Sequence, residues 1–166
     1  MDLEFTKVQE SDFESTFEVF KNHMKSVIES AFGWDEQFQE SGFKSRLRLE
    51  WFHWITQKKS RVGLVCYKTS QESVHIHLLV IFAEAQRQGL GSAVSKHIAG
   101  IAHSHNLPLT LRCFKNNEPA LSLYRKLGFS VASEDEHFYD FISKVTSATR
   151  KKAISSAVKS ESLTNW

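Results

Sequence analysis

The amino-acid sequence predicts an α/β domain in which one central mixed β-sheet is flanked by helices. The apolar residues first recur every three to four positions and later every two, which indicates helices followed by strands. The resulting order is strand, two helices, three strands, helix, strand, helix and two strands, and it lacks the regular strand–helix alternation of nucleotide-binding folds. With 166 residues that are 41% hydrophobic, the chain can form one core without disulfides or metal.

The N-terminal part predicts one strand and two helices. The strand covers Leu3 to Gln9, and Ser11 or Asp12 is expected to cap the helix that follows, because their side-chain oxygens accept early backbone N–H groups. Gly33 ends this first helix, and a second helical segment covers residues 35 to about 49. The first helix has an apolar stripe formed by Phe13, Phe17, Phe20, Met24, Val27 and Ile28.

After residue 50 the apolar period changes to that of strands, with β-branched and aromatic segments separated by polar turns. Gly128 ends the last helix, and the acidic turn Glu134-Asp135-Glu136 joins the last two strands. The predicted strands cover residues 52–56, 61–68, 74–82, 107–114, 129–132 and 138–144, and the predicted helices cover 91–106 and 117–127.

The chain changes character near Val145, where it becomes Ser/Thr-rich and basic and has few large apolar residues. We therefore expect one domain over residues 1–144 and a helical or disordered tail over 145–166.

Composition and charge exclude several classes of protein. No run approaches 18 apolar residues, and the N-terminus has no basic region followed by an apolar stretch, so we expect a cytoplasmic protein with no membrane partner. The net charge of +2 gives no reason to expect a nucleic-acid partner. Cys66 and Cys113 each lie within an apolar run, which is typical of buried, reduced cysteines.

A glycine-containing turn between a strand and a helix is the most informative segment. It reads Gln86-Arg-Gln-Gly89-Leu-Gly91, and the helix after it directs its free N–H groups and positive dipole end at the turn. Such a turn can hold a pyrophosphate. The alternative is a tight strand-to-helix turn without a ligand, and the segment has neither the dinucleotide nor the NTPase fingerprint.

A second block reads Asn117-Glu-Pro-Ala120-Leu-Ser-Leu-Tyr124-Arg-Lys-Leu-Gly128-Phe129. Together the two blocks resemble the signatures of the GNAT superfamily of acyl-CoA-dependent N-acetyltransferases, Gln/Arg-x-x-Gly-x-Gly/Ala and Asn-x-x-Ala-x-x-x-Tyr-x-x-x-Gly-Phe. Ala83 departs from the pattern, because many members have proline there, and a looser turn is expected. The resemblance implies the GNAT fold, with acetyl-CoA as co-substrate held by Leu79, Ile81, Gln86, Arg87, Gln88, Gly89, Leu90, Gly91, Ser92, Asn117, Ala120 and Tyr124.

The resemblance also implies a catalytic role for Tyr124, which would stand near the thioester sulfur. A phenol can donate a proton or a hydrogen bond to the leaving thiolate. The alternative is a core tyrosine on an amphipathic helix.

His75 and His77 are the candidate bases, because residues two apart on a strand share a face and imidazole titrates near physiological pH. The pair resembles the His-x-His of arylalkylamine N-acetyltransferases. The alternative is two polar residues at the start of a strand, and Glu72 is a weaker candidate. No third ligand is apparent for a zinc ion, so no metal is expected.

Trp34, Asp35 and Glu36, at the junction of the first two helices, are the candidate substrate-binding residues. Trp34 offers a face for a cation or an apolar body, and the two carboxylates could attract an ammonium. Asp35 and Glu36 have an alternative role in starting the second helix, and Arg46 and Arg48 could instead bind a substrate carboxylate. The expected function is acetyl transfer to a primary amine, most simply a small molecule. A non-catalytic acyl-CoA sensor is the alternative, and a homodimer stays open.

Overall fold

The computed structural model describes residues 2–143, so the predicted C-terminal tail, residues 145–166, lies outside the described residues. The strands are β1 Leu3–Lys7, β2 Phe52–Gln57, β3 Ser60–Thr69, β4 Val74–Ile81, β5 Leu109–Phe114, β6 Ser130–Glu134 and β7 Phe138–Ile142. The helices are α1 Phe13–Phe32, α2 Glu36–Arg46, α3 Leu90–Ser104 and α4 Glu118–Lys126.

The strands form one seven-stranded mixed sheet in the order β1-β2-β3-β4-β5-β7-β6. The pairing of β4 with β5 is parallel, whereas β1 with β2, β2 with β3, β5 with β7, and β6 with β7 are antiparallel. This confirms the predicted fold class, a mixed sheet flanked by helices. Within residues 2–143, no helix is long and apolar enough to cross a membrane.

The start of α1 differs from the prediction. Asp12 occupies the N-cap position, but neither its side chain nor that of Ser11 makes a capping hydrogen bond, and a 3-10 turn, Glu10–Asp12, leads into the helix. The Asp12 carboxylate instead accepts a hydrogen bond from Arg61 at 2.9 Å. The predicted side-chain cap is therefore wrong, because the Asp12 carboxylate binds a distant guanidinium instead.

The other helix ends follow their local sequence closely. Gly33 ends α1 with a φ of 82°, and its N–H donates to the Glu29 carbonyl. Helix α2 ends at Arg46, earlier than predicted, and a separate 3-10 turn covers Leu49–Trp51. Gly128 follows α4 with a φ of 88°.

The chain forms two compact units that alternate along the sequence. The first contains the residues up to Tyr67 together with Leu78–Gln88, and the second contains Lys68–His77 and the residues from Gly89 onward. An aromatic cluster around Phe43 of α2 fills the first unit. The ring of Phe43 lies 5.1–6.2 Å, centroid to centroid, from the rings of Phe13, Phe17, Phe20 and Phe52.

The second unit has its core along β5, against which α3 and α4 both pack. Leu109 and Leu111 of β5 are buried, as is Phe141 of the adjacent strand β7. Helix α3 contributes a buried stripe of residues at helical spacing, Val94, Ile98 and Ala102.

Gly63 marks a point where β3 and β4 approach too closely for a side chain. The pairing register between β2 and β3 shifts beside Gly63, which leaves Val62 as the extra residue of a β-bulge. The Val62 carbonyl accepts the Phe82 N–H at 2.8 Å, and a Cβ placed on Gly63 would overlap the carbonyl oxygen of Val80. The sequence requires glycine here for reasons of space.

We expect Gly63→Ala to destabilise the protein by about 1–3 kcal/mol, because the added methyl forces two strands apart. The melting temperature should fall by roughly 2–4 °C for each kcal/mol. Gly100→Ala is the matched control, since nothing lies near its Cβ position and alanine favours a helix by about 1 kcal/mol over glycine. Equal melting temperatures for the two variants in a thermal scan would contradict this prediction.

Candidate active site

The segment between β4 and α3 is a hydrogen-bonded turn that is largely exposed. Ala83 begins a 3-10 turn, Ala83–Ala85, in which the Ala85 N–H donates to the Phe82 carbonyl at 2.8 Å. The side-chain amide of Gln86 donates to the Ile81 carbonyl at 2.9 Å, so the turn is hydrogen-bonded with alanine at position 83. Residues 86–89 are exposed.

Two residues of this turn have left-handed backbone conformations. Arg87 has a φ of 63° and Gly89 a φ of 78°. Gly91 has no positive φ, and its small size serves packing instead, because a Cβ there would lie 3.2 Å from a methyl of Leu123 on α4. Only the first glycine of the motif is thus needed for its conformational freedom.

The N-terminus of α3 is electrostatically uncompensated. Its N-cap is Gly89, which has no side chain to accept the first N–H groups, and its first turn contains no acidic residue. The helices α1, α2 and α4 each carry an acid in the first turn: Glu14, Glu36 and Glu118. The α3 end therefore keeps its positive dipole end and its N–H groups available for an anion.

His75 and His77 lie on one face of β4, as predicted, and their rings meet edge to face with centroids 4.7 Å apart. Nδ1 of His75 is 2.8 Å from the hydroxyl oxygen of Thr110. Burial lowers the pKa of His75 to about 4, with smaller contributions from the charges of Arg112 and Lys68.

Burial likewise lowers the pKa of His77 to about 3, with His75 and Lys68 contributing further. The expectation that these imidazoles titrate near physiological pH is therefore wrong. Both rings are neutral at pH 7, because their surroundings disfavour the charged form.

A polar network on β5, β6 and β7 lies on the same face of the sheet as His75. Arg112 of β5 donates from Nε to Asp140 at 3.0 Å and from Nη2 to Asp135 at 2.9 Å, and its guanidinium lies 4.5 Å from the centre of the Phe138 ring. The hydroxyl of Ser133 donates to the second oxygen of Asp140 at 2.7 Å. The network ties the hairpin between β6 and β7 to the central strand.

Tyr124 lies on the other face of this part of the sheet. Its ring is 6.0 Å from that of Phe141, which pairs in register with Leu111, and these two positions alternate with Arg112 and Asp140. Tyr124 is 7% exposed, and burial, followed by the neighbouring Cys113, raises the pKa of its phenol well above the usual range. It is a protonated donor at every physiological pH.

The remaining residues implied by the resemblance fall into two places. Asn117 is the N-cap of α4, and Ala120 and Tyr124 follow it on the same side of that helix at spacings of three and seven residues. Leu79 and Ile81 lie in the first unit, on the half-buried face of β4.

The candidate substrate residues, in the first unit, are engaged with one another and with α1. Asp35 accepts the Phe38 N–H at 3.0 Å and thus caps α2. Glu36 accepts hydrogen bonds from Lys21 at 2.8 Å and from the indole of Trp34 at 2.9 Å, and these bonds lower its pKa. The half-buried Trp34 ring keeps a face toward Lys25, whose ammonium lies 5.8 Å from the ring centre.

The sequence and the fold of this chain are similar to those of known proteins. A family model described as Acetyltransferase (GNAT) family matches residues 12–129. The chain belongs to the GNAT acetyltransferase family. The resemblance inferred from the two sequence blocks is therefore confirmed.

This GNAT protein is also similar to individual known proteins, at low sequence identity. It is 31% identical over 86 residues to the 5-NmdU N-acetyltransferase of Pseudomonas phage PaMx11, a match that covers 51% of this chain and 60% of that relative. Its fold is similar to that of the PaiA N-acetyltransferase of Thermoplasma acidophilum in complex with coenzyme A, with a TM-score of 0.68, 19% identity, and coverage of 87% of this chain and 99% of that one. The ribosomal-protein-S18-alanine N-acetyltransferase of Escherichia coli gives a TM-score of 0.58 at 19% identity, covering 88% and 97%.

Sequence reasoning missed Thr110, Arg112, Asp140 and Ser133 of this GNAT chain. A signal for the two β5 residues was present, because Thr110 and Arg112 alternate with the apolar Leu109, Leu111 and Cys113. In the described part of the chain, no three His, Cys, Asp or Glu side chains are grouped so that they could hold a metal ion.

We expect the imidazoles of His75 and His77 to stay neutral from pH 8 down to about 5.5, because their pKa values of about 4 and 3 lie below this range. A pH titration followed by NMR of 15N-labelled histidine checks this, with the signals assigned through His75→Gln and His77→Gln. A midpoint near 6.5 for either residue would contradict it.

Proposed function

We propose that this chain transfers the acetyl group of acetyl-CoA to a primary amine by direct attack within a ternary complex. The observation that carries the proposal is the uncapped start of α3, which follows an exposed turn with two left-handed residues. An anion of high charge fits such an N-terminus, and the pyrophosphate of coenzyme A is the anion that the family's co-substrate supplies.

The residues present fit this co-substrate. The N–H groups of Arg87 to Ser92 would hold the pyrophosphate, with Gln86, Arg87 and Gln88 exposed beside it. Leu79 and Ile81 are the proposed backbone partners of the pantetheine arm, and Asn117 and Ala120 would line it from α4. The relative from Thermoplasma acidophilum, which is in complex with coenzyme A, has the same fold.

In the proposed reaction a neutral amine attacks the thioester carbonyl, a C–N bond forms and the C–S bond breaks. The nitrogen loses one proton and the sulfur gains one. Tyr124 is the proposed donor to the leaving thiolate, because its phenol is protonated and buried. His75 and His77 are the proposed acceptors, and their low pKa values suit an amine that becomes acidic only as its bond to carbon forms.

The residues around Trp34 favour an acceptor amine that is recognised by its shape more than by its charge. Glu36 already neutralises Lys21, and Asp35 caps α2, so neither carboxylate is held ready for an ammonium. We propose that Trp34 contributes an apolar or cation-binding face. The relatives are named for acceptors as different as 5-NmdU and an alanine of ribosomal protein S18, and the acceptor of this chain is proposed only as a primary amine.

The experiment that tests the function is a thiol-release assay with acetyl-CoA and a panel of amines: spermidine, tyramine, kanamycin, glutamate, an alanine-ended peptide and 5-NmdU. Tyr124→Phe should lower kcat by about 100-fold or more, because general acid catalysis is lost, while calorimetry shows unchanged acetyl-CoA affinity. The matched control is Tyr139→Phe, at a half-buried tyrosine on β7 whose ring lies near two surface cations. If the protein binds acetyl-CoA but acetylates no amine of the panel, this proposal is wrong and the alternative function, an acyl-CoA sensor, takes its place.

We expect Ser92→Asp to separate cofactor binding from stability. A carboxylate in the first turn stabilises a helix by about 0.3–1 kcal/mol, but here it would repel the pyrophosphate and weaken acetyl-CoA binding by about 10-fold or more. The neutral variant Ser92→Asn is the control for side-chain size. Calorimetry measures the affinity for acetyl-CoA, and a thermal scan measures the stability. An unchanged affinity in Ser92→Asp would contradict the placement of the pyrophosphate at the start of α3.

A further inference from the structure

Thr110 lies on β5, in the second unit. It pairs in register with His75 of β4 on one side and with Ile142 of β7 on the other. Its hydroxyl oxygen lies 2.8 Å from Nδ1 of His75, a short hydrogen bond between partly buried groups 35 residues apart in the sequence. None of the sequence motifs includes Thr110.

We propose that Thr110 is a positioning residue for acetyl transfer, which accepts the Nδ1–H of His75 and so leaves the Nε2 lone pair of that imidazole to take a proton from the acceptor amine. This inference rests on the proposed function, because it gives one of the two candidate bases a defined orientation and tautomer.

The tautomer matters because the ring is neutral. A neutral imidazole carries a single N–H, so the nitrogen opposite to it is the only one with a lone pair for a proton. If the Thr110 hydroxyl donated to Nδ1 instead, Nε2 would carry the hydrogen and His75 could not act as a base. The Nδ1–H tautomer is the one that a base at this position requires.

The groups around His75 keep this arrangement from being lost by protonation. The cations Lys68 and Arg112 lower the pKa of His75 further. The ring of His77 packs against the ring of His75 in an edge-to-face arrangement, with the centroids 4.7 Å apart. Arg112 is itself held by Asp140 and Asp135. The ring is therefore fixed by Thr110 through a hydrogen bond and by His77 through packing.

The hydrogen bond to Thr110 gives the imidazole of His75 a defined orientation. The bond from Thr110 holds Nδ1 of His75 toward β5, which turns Nε2 away from that strand.

The first test is the tautomer of His75 in the wild-type protein, read from 15N-labelled histidine by NMR without any substrate. We expect the Nδ1–H form, with the signal assigned through its loss in His75→Gln. Thr110→Val, which keeps the shape and removes the hydroxyl, should shift the signal toward the Nε2–H form. Thr110→Ser should restore the wild-type tautomer.

The second test is steady-state kinetics with acetyl-CoA and the most reactive amine of the panel. Thr110→Val should lower kcat by about 10- to 100-fold with the KM for acetyl-CoA changed less than about 2-fold, because proton transfer is impaired and cofactor binding is not. Thr110→Ser should recover most of the activity. Thr6→Val, the same change at an exposed position of β1, is the matched control and should leave kcat unchanged.

An Nε2–H tautomer in the wild-type protein would overturn the proposal whether or not any variant folds. So would a Thr110→Val protein that keeps both the wild-type kcat and the wild-type tautomer. If no amine in the panel is acetylated, the proposed function fails, and the NMR result still shows separately whether Thr110 sets the tautomer of His75.

Discussion

The alternation of side chains along β4 is the constraint on which the candidate site depends. One face of this strand is buried and apolar, formed by Val74, Ile76, Leu78 and Val80, and this burial fixes the register, because a slip by one residue would expose all four. Because side chains alternate along a strand, His75, His77, Leu79 and Ile81 then lie on the opposite face. The same strand leads into the turn before α3, so one element sets the positions of the histidines and of the helix end that is proposed to bind an anion.

Burial does more than place the histidines, since it also sets their protonation state. A lone surface imidazole would be partly charged near neutral pH, but the crowding around His75 and the cations Lys68 and Arg112 favour the neutral ring. Arg112 in turn depends on Asp140 and Asp135, because a nearly buried guanidinium without carboxylate partners would be costly. The electrostatics of the histidine face are therefore shared among β4, β5, β7 and the hairpin that follows β6.

Local sequence patterns were sufficient for the elements and for the turn before α3, because apolar period and glycine position act over a few residues. They were insufficient wherever a side chain chooses a distant partner. Asp12 bonds to Arg61, 49 residues away, in place of its own helix, and Lys21 takes the carboxylate of Glu36. The low pKa values of the histidines could not be predicted for the same reason, since they arise from burial and from charges on neighbouring strands.

The placement of the candidate acid and base on opposite faces constrains the proposed chemistry. Within the second unit, His75 points to the face of Thr110 and Arg112, whereas Tyr124 packs against Phe141 on the other face. The backbone layer of the sheet therefore lies between the imidazole of His75 and the phenol of Tyr124. In the proposed reaction the two proton transfers are separate events, and the imidazole must return its proton to solvent, which its low pKa makes favourable at neutral pH.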